Sequence, residues 1–267
     1  MPDVSLLLPL AGIGVVAGFL AGLLGVGGGL IIVPAMVWVL EAAGVTHQVQ
    51  HLALGTSLAV MVFTSFASVR AHHARGAVDW SIVKRMAPAM IVGMLVGSQI
   101  AGWIPSHDLK WFFVVYAYVI ALQMLADKKP QGGRPLPGPL GLWSSGGVIG
   151  VISSFVGIGG GSMSVPFMSW CNVPMPRAIA TSAALGWPIA VAGAVGYVIS
   201  GWHAPDLPPG AVGFVYLPGL LALSVVTVLV APQGARLAHR LPVSRLKKVF
   251  AGLMAVMATQ MLWTLVR

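Results

Sequence analysis

The chain has 267 residues, 57% hydrophobic and 8% charged, with a mean hydropathy of +0.91. That composition excludes a soluble domain, and it excludes a β-barrel, whose strands would read as weak alternating segments of about ten residues. The formal charge of +9 is not a nucleic-acid footprint, because no basic stretch carries the interleaved aromatics or motifs of such a binder; in membrane proteins lysine and arginine gather in cytoplasmic loops.

Asp3, with no basic residue beside it, precedes the first apolar run, so no cleaved signal peptide is expected. That run, Leu6–Leu40, is interrupted by Gly25-Val26-Gly27-Gly28-Gly29 and its second part passes through Val33-Pro34. Glycine triplets are costly inside helices, so the run reads as a helical hairpin with a Gly-rich tip, its second helix starting at Leu30. Apolar runs over Leu52–Val69, Met86–Ile104 and Trp111–Leu125 follow, each a membrane-span candidate. Residues 127–139, DKKPQGGRPLPGP, have the composition of a linker.

Beyond the linker the pattern returns. Gly157-Ile158-Gly159-Gly160-Gly161 interrupts Gly141–Trp170, and apolar runs over Ala178–Ile199, Val212–Val230 and Val249–Leu265 follow. From Met163 to Trp170 is only about 12 Å of helix, too short to cross, so a second hairpin is predicted, its short helix starting at Ser162. Ala53-Leu54-Gly55-Thr56-Ser57 matches Ala178-Ile179-Ala180-Thr181-Ser182, and Ile104-Pro105 with Leu109-Lys110 matches Leu241-Pro242 with Leu246-Lys247. The expected fold is an all-α membrane protein of two repeats, 1–126 and 140–267, each a Gly-tipped hairpin plus three transmembrane helices. That makes about eight spans if each hairpin counts as one.

Loop charge sets the relative orientation of the repeats. Arg70–Arg85 carries four Lys/Arg and Gly102–Lys110 one, whereas Ser200–Ala211 carries none and Gln233–Lys248 five. The bias swaps, so by the positive-inside rule the halves are inverted, with the linker cytoplasmic and both termini periplasmic in a bacterial inner membrane.

All six acids, all seven histidines and every lysine and arginine fall at predicted loops or segment ends. Charge-free spans argue against a cation permease, since ionisable groups inside membranes mark ion and proton pathways. They argue equally against an intramembrane enzyme, which would need a buried base. A lone cysteine, Cys171, leaves no internal disulfide and no cysteine-based metal site. No cofactor, catalytic residue or metal ligand is expected.

An anion, by contrast, needs no buried cation, because helix N-termini offer free N–H groups and a partial positive charge. The candidate substrate-binding residues are therefore Gly27, Gly28, Gly29, Gly159, Gly160, Gly161 and Ser162 at the tips, with Thr56, Ser57, Thr181 and Ser182 as hydroxyl donors. His51 and Arg177, just before the Thr-Ser motifs, are candidates for an anion entrance. Each has a plainer alternative: close helix packing for the glycines, back-bonding to a carbonyl for the hydroxyls, a solvated helix end for His51 and Arg177. Trp103, Trp143, Trp187 and Trp202 read as interface anchors.

The stretches AGLLGVGGGLIIVPAM at 21–36, HLALGTSLAVMVFTSFASVRAHHARGAVDW at 51–80 and SSFVGIGGGSMSVPFM at 153–168, with PRAIATSAA at 176–184, together resemble the TauE/SafE family of sulfite and organosulfonate exporters. The resemblance implies a multi-pass inner-membrane carrier for a small sulfur anion: sulfite, thiosulfate, or an organosulfonate such as sulfoacetate. It implies secondary transport driven by protons or the membrane potential. One departure is His51-Leu52, where the family frequently has a basic residue; Arg177 fills the matching place in the second half. The partners implied are the anion, the bilayer and protons as coupling ion, and a homo-oligomer is compatible with the sequence. The alternatives are an importer of a sulfur-source anion and a non-transport membrane subunit.

Overall fold

The computed structural model describes residues 4–24, 28–126, 135–237 and 243–266. The first half runs α1 (Val4–Leu24), α2 (Gly29–Ala42), α3 (Val49–His73), α4 (Trp80–Trp103) and α5 (Ser106–Leu125). The second half runs α6 (Pro139–Val156), α7 (Gly161–Trp170), α8 (Met175–Ser200), α9 (Leu217–Leu237) and α10 (Val243–Val266). A hairpin of two short strands, β1 (Ala211–Val212) and β2 (Val215–Tyr216), precedes α9. Each half is thus a helical hairpin followed by three long helices. Among the described residues, six helices, α3, α4, α5, α6, α8 and the first part of α9, are long and apolar enough to cross a membrane. Residues 127–134 of the linker, the Leu241-Pro242 match and the terminal residues 1–3 and 267 lie outside the described residues.

The halves do not fold as separate domains. The closest packing is of α4 on α6 and of α1 on α9, then α3 on α8, α4 on α8, α3 on α9, and α5 on α10. Exchanging each helix for its counterpart five places along maps this set of pairs onto itself: α4–α6 exchanges with α1–α9, α4–α8 with α3–α9, and α3–α8 and α5–α10 return to themselves. Aligning α5 with α10 from their first residues shows why the ends match: Lys110 meets Lys247, Phe113 meets Phe250, Ala121 meets Ala258, and Gln123-Met124-Leu125 meets Gln260-Met261-Leu262.

Glycine makes the two closest contacts. Between α4 and α6, a β-carbon at Gly93 would overlap the Gly147 carbonyl, and one at Gly150 would overlap the Met90 carbonyl. Between α1 and α9, a β-carbon at Gly18 would lie 2.8 Å from the Thr227 backbone, and one at Gly234 would overlap the Phe19 carbonyl. Without a hydrophobic drive between helices in lipid, small residues that let backbones approach supply the van der Waals contact instead. Trp103, Trp143 and Trp202 are exposed, as anchors should be. Trp187 is half-way along α8 and packs on Phe66, 6.1 Å between ring centres, away from either helix end.

Candidate functional site

Both short helices begin one residue earlier than expected, at Gly29 and Gly161. Their N-caps, Gly28 and Gly160, sit at φ 78° and φ 72°, the left-handed region that an L side chain resists. Ile31 and Ile32 donate to the Gly28 carbonyl at 3.0 and 3.1 Å, and Met163 and Ser164 to the Gly160 carbonyl at 3.1 and 2.8 Å. The N–H groups of the first two residues of each helix, Gly29 and Leu30 in α2 and Gly161 and Ser162 in α7, have no carbonyl one turn back to bond, and neither N-cap has a side chain to cover them. Gly27 lies outside the described residues.

The two short helices lie toward opposite ends of α5. Glu41, at the C-terminal end of α2, pairs with Lys110 in the first turn of α5. Trp170, the last residue of α7, lines one cavity with Gln123 and Ala126 at the far end of α5. The N-terminal ends of α2 and α7 therefore both point inward, and the tips touch. Gly29 lies against the Gly157 carbonyl so closely that a β-carbon would overlap it, and Ser57 donates to the same carbonyl at 3.1 Å. The Met61 side chain reaches both tips, its sulfur beside Gly29 and its methyl beside Gly159, which in turn lies close to Gly186. Met61 was not singled out from the sequence, although it stands five residues after Thr56 where the other half has Gly186 after Thr181.

The hydroxyls divide by role. Ser57 reaches a tip, and Ser182 shares a hydrogen bond of 2.9 Å with Ser164 in the first turn of α7. The threonines tie the halves together instead: Tyr216 N–H donates to Thr56 at 2.9 Å, and Asp79 N–H donates to Thr181 at 3.0 Å. Each threonine thus anchors the loop before the fourth helix of the other half, α9 or α4. Thr56→Val and Thr181→Val each take the partner from a half-buried backbone donor, a cost of about 1 kcal/mol. Both variants are expected to melt several degrees earlier, measured by thermal unfolding in detergent.

The two entrance candidates part company. Arg177 is exposed in the first turn of α8. His51 is buried, with one ring nitrogen 3.0 Å from the Ala101 carbonyl and the other 3.1 Å from the Ser106 hydroxyl. It stacks on Phe214 of the strand hairpin at 4.8 Å, so in this conformation it packs an end of the molecule rather than facing solvent.

A cavity of about 880 Å³ opens between α5, α6 and α7. It runs from Gln123, Ala126 and Ser144 inward to Tyr116 and Ser162, about 15 Å along α5. Ser162 is the second residue of α7, so the cavity ends at an uncapped helix N-terminus. Each such end carries about half a positive charge, and no described Lys, Arg, Asp or Glu lines the cavity. A positive helix end in such surroundings is favourable for negative charge. Among the described residues no cluster of three His, Cys, Asp or Glu stands ready for a metal ion.

Comparison with known proteins gives the same direction. Residues 10–261 match the model of the family described as sulfite exporter TauE/SafE. A "probable membrane transporter protein" of Haemophilus influenzae is 35% identical over 251 residues, covering 93% of this chain and 95% of its own. Another from Methanocaldococcus jannaschii is 25% identical, covering 96% of both chains. A third from Bacillus subtilis is 28% identical over 74% of this chain and 82% of its own. No solved structure matches the chain significantly.

Proposed function

The chain belongs to the sulfite exporter TauE/SafE family of membrane transporters, and from that premise we propose that it exports a small sulfur-containing anion across a bacterial inner membrane by alternating access. Sulfite, thiosulfate and an organosulfonate such as sulfoacetate are the substrates in view. The observation that carries the reading is the meeting of two uncapped half-length helices from opposite ends of the bundle. A bound anion there would be held by backbone N–H groups and helix dipoles in a low dielectric, where such partial charges act strongly.

The 880 Å³ cavity supports access from one side at a time. Loop charge favours the cytoplasm for that side, because Ala126 at the cavity mouth is next in sequence to the basic linker and the other face is packed by His51 and Phe214. An inward-open carrier would load its anion there, and the membrane potential, about 2.3 kcal/mol per charge per 100 mV, favours anion exit.

Cells expressing the chain and producing sulfite internally are expected to release it faster than cells carrying an empty vector. Growth on thiosulfate as sole sulfur source without such release would make the protein an importer instead. The inverted orientation has its own check. Single cysteines placed at positions 2 and 267, in a chain with Cys171 replaced, should both label from the periplasm with an impermeant reagent. Labelling from opposite faces would overturn the inverted arrangement.

A further inference from the structure

The cavity holds one polar contact that no sequence motif announced. The Tyr116 hydroxyl reaches from α5 across to the Ser162 hydroxyl in the first turn of α7, 2.6 Å away. Around the pair the wall is mostly apolar, with Val119, Ile120, Val148 and Ile149 beside it. Two hydroxyls bring two O–H donors, and their mutual bond uses one of them. The second donor is available to an acceptor entering the cavity. This is an unusual place to keep paired hydroxyls, because a polar group in apolar surroundings is costly unless it is satisfied.

The internal repeat supplies a second observation. With α5 aligned on α10, Tyr116 corresponds to Leu253; with the glycine motifs aligned, Ser162 corresponds to Leu30. Both members of the contact are polar on one side of the molecule and both are leucine on the other. Packing alone would be served by leucine on either side, so the polar pair marks the side where the cavity opens.

We propose that Tyr116 is a substrate-contacting, specificity-determining residue of this carrier. The entering oxyanion parts the Tyr116–Ser162 pair and accepts from both O–H groups, at the point where the cavity meets the N-terminus of α7. The phenol also closes one wall of that space, so it sets how large a substituent beside the sulfur is seated. This inference rests on the carrier reading above.

The test is initial-rate uptake of radiolabelled sulfite and of sulfoacetate into proteoliposomes, for the wild type, Tyr116→Phe, Ser162→Ala and the double variant. Each single variant removes one oxygen from a cavity wall, so monodisperse elution and an unchanged melting temperature should confirm folding. The expected result is a KM for sulfite raised about tenfold in each single variant with turnover within about twofold. The double variant, which loses both donors, should raise KM further than either single one, and the ratio of sulfite to sulfoacetate KM should shift in Tyr116→Phe. Unchanged KM values in folded variants of an active wild type would overturn this inference alone. So would an equal loss of turnover for both anions at constant KM, the mark of a structural latch. A wild type that moves neither anion would overturn the carrier reading and this inference with it.

Discussion

Gly28→Val and Gly160→Val are each expected to reduce transport to the level of empty vesicles while the protein still inserts into the membrane. Both glycines hold φ in the left-handed region, 78° and 72°, where an L residue pays about 1–2 kcal/mol and a β-branched one more. Space is short as well. A β-carbon at Gly28 would lie 3.0 Å from the Ala17 carbonyl, and one at Gly160 would lie 2.9 Å from the Met90 methyl and 3.1 Å from Ile189. The valine branches need more room still, so the first turn of α2 or α7 must turn away and its N–H groups lose their aim. Insertion depends on apolar length, which valine preserves. Gly252→Val is the control, since nothing lies within 4 Å of that position. Uptake should be measured beside size-exclusion profiles of all three variants. Near-wild-type uptake by both tip variants would remove the tips from the transport site.

The second large effect is on stability. Gly150→Leu is expected to abolish recovery of folded, monodisperse protein, and Gly93→Leu to do the same. A β-carbon at Gly150 already overlaps the Met90 carbonyl, and Met94 N lies 3.0 Å away on the same backbone. Backbone cannot step aside as a side chain can, so α4 and α6 must separate along their closest contact. Overpacking in a tight core typically costs 1–3 kcal/mol, and here the obstruction lies at the upper end of that scale or beyond. Total stabilities of about 5–15 kcal/mol leave little reserve for it. Gly12→Leu, with nothing within 4 Å of the glycine, should express and elute like the wild type. A monodisperse Gly150→Leu protein would mean that α4 and α6 pack less closely than described.

Much of this fold could be read before any coordinates. Apolar length and glycine triplets are local signals, so the two hairpins, the three helices after each, and the starts of the two short helices to within one residue all followed from the chain. Long-range partners did not. Nothing near Thr56 indicates that its hydroxyl holds Tyr216 N–H, 160 residues along. Nothing near His51 indicates that Phe214 covers it. Membrane helices also conceal which face meets protein, because lipid is as apolar as a leucine core. Met61 and Tyr116 were missed for that reason. Tyr116 lies in an aromatic, apolar span and gains meaning only when α7 is placed opposite it. One signal was legible and overlooked: Gln123-Met124-Leu125 recurs as Gln260-Met261-Leu262, and it fixes the equivalence of α5 and α10 on which the Tyr116–Leu253 comparison depends. The glycines also divide by use. Gly93 and Gly150 serve packing, while Gly28 and Gly160 shape helix starts, a difference that residue type alone does not reveal.

The most direct test of the central claim is counterflow in liposomes holding the purified protein, with sulfite, thiosulfate, sulfate, sulfoacetate, taurine and acetate offered in turn. Saturable exchange of at least one of the anions sulfite, thiosulfate and sulfoacetate, unmatched by acetate or by zwitterionic taurine, is the result expected of a sulfur-anion carrier. Silence across the whole panel, in vesicles shown to contain folded protein, would contradict it.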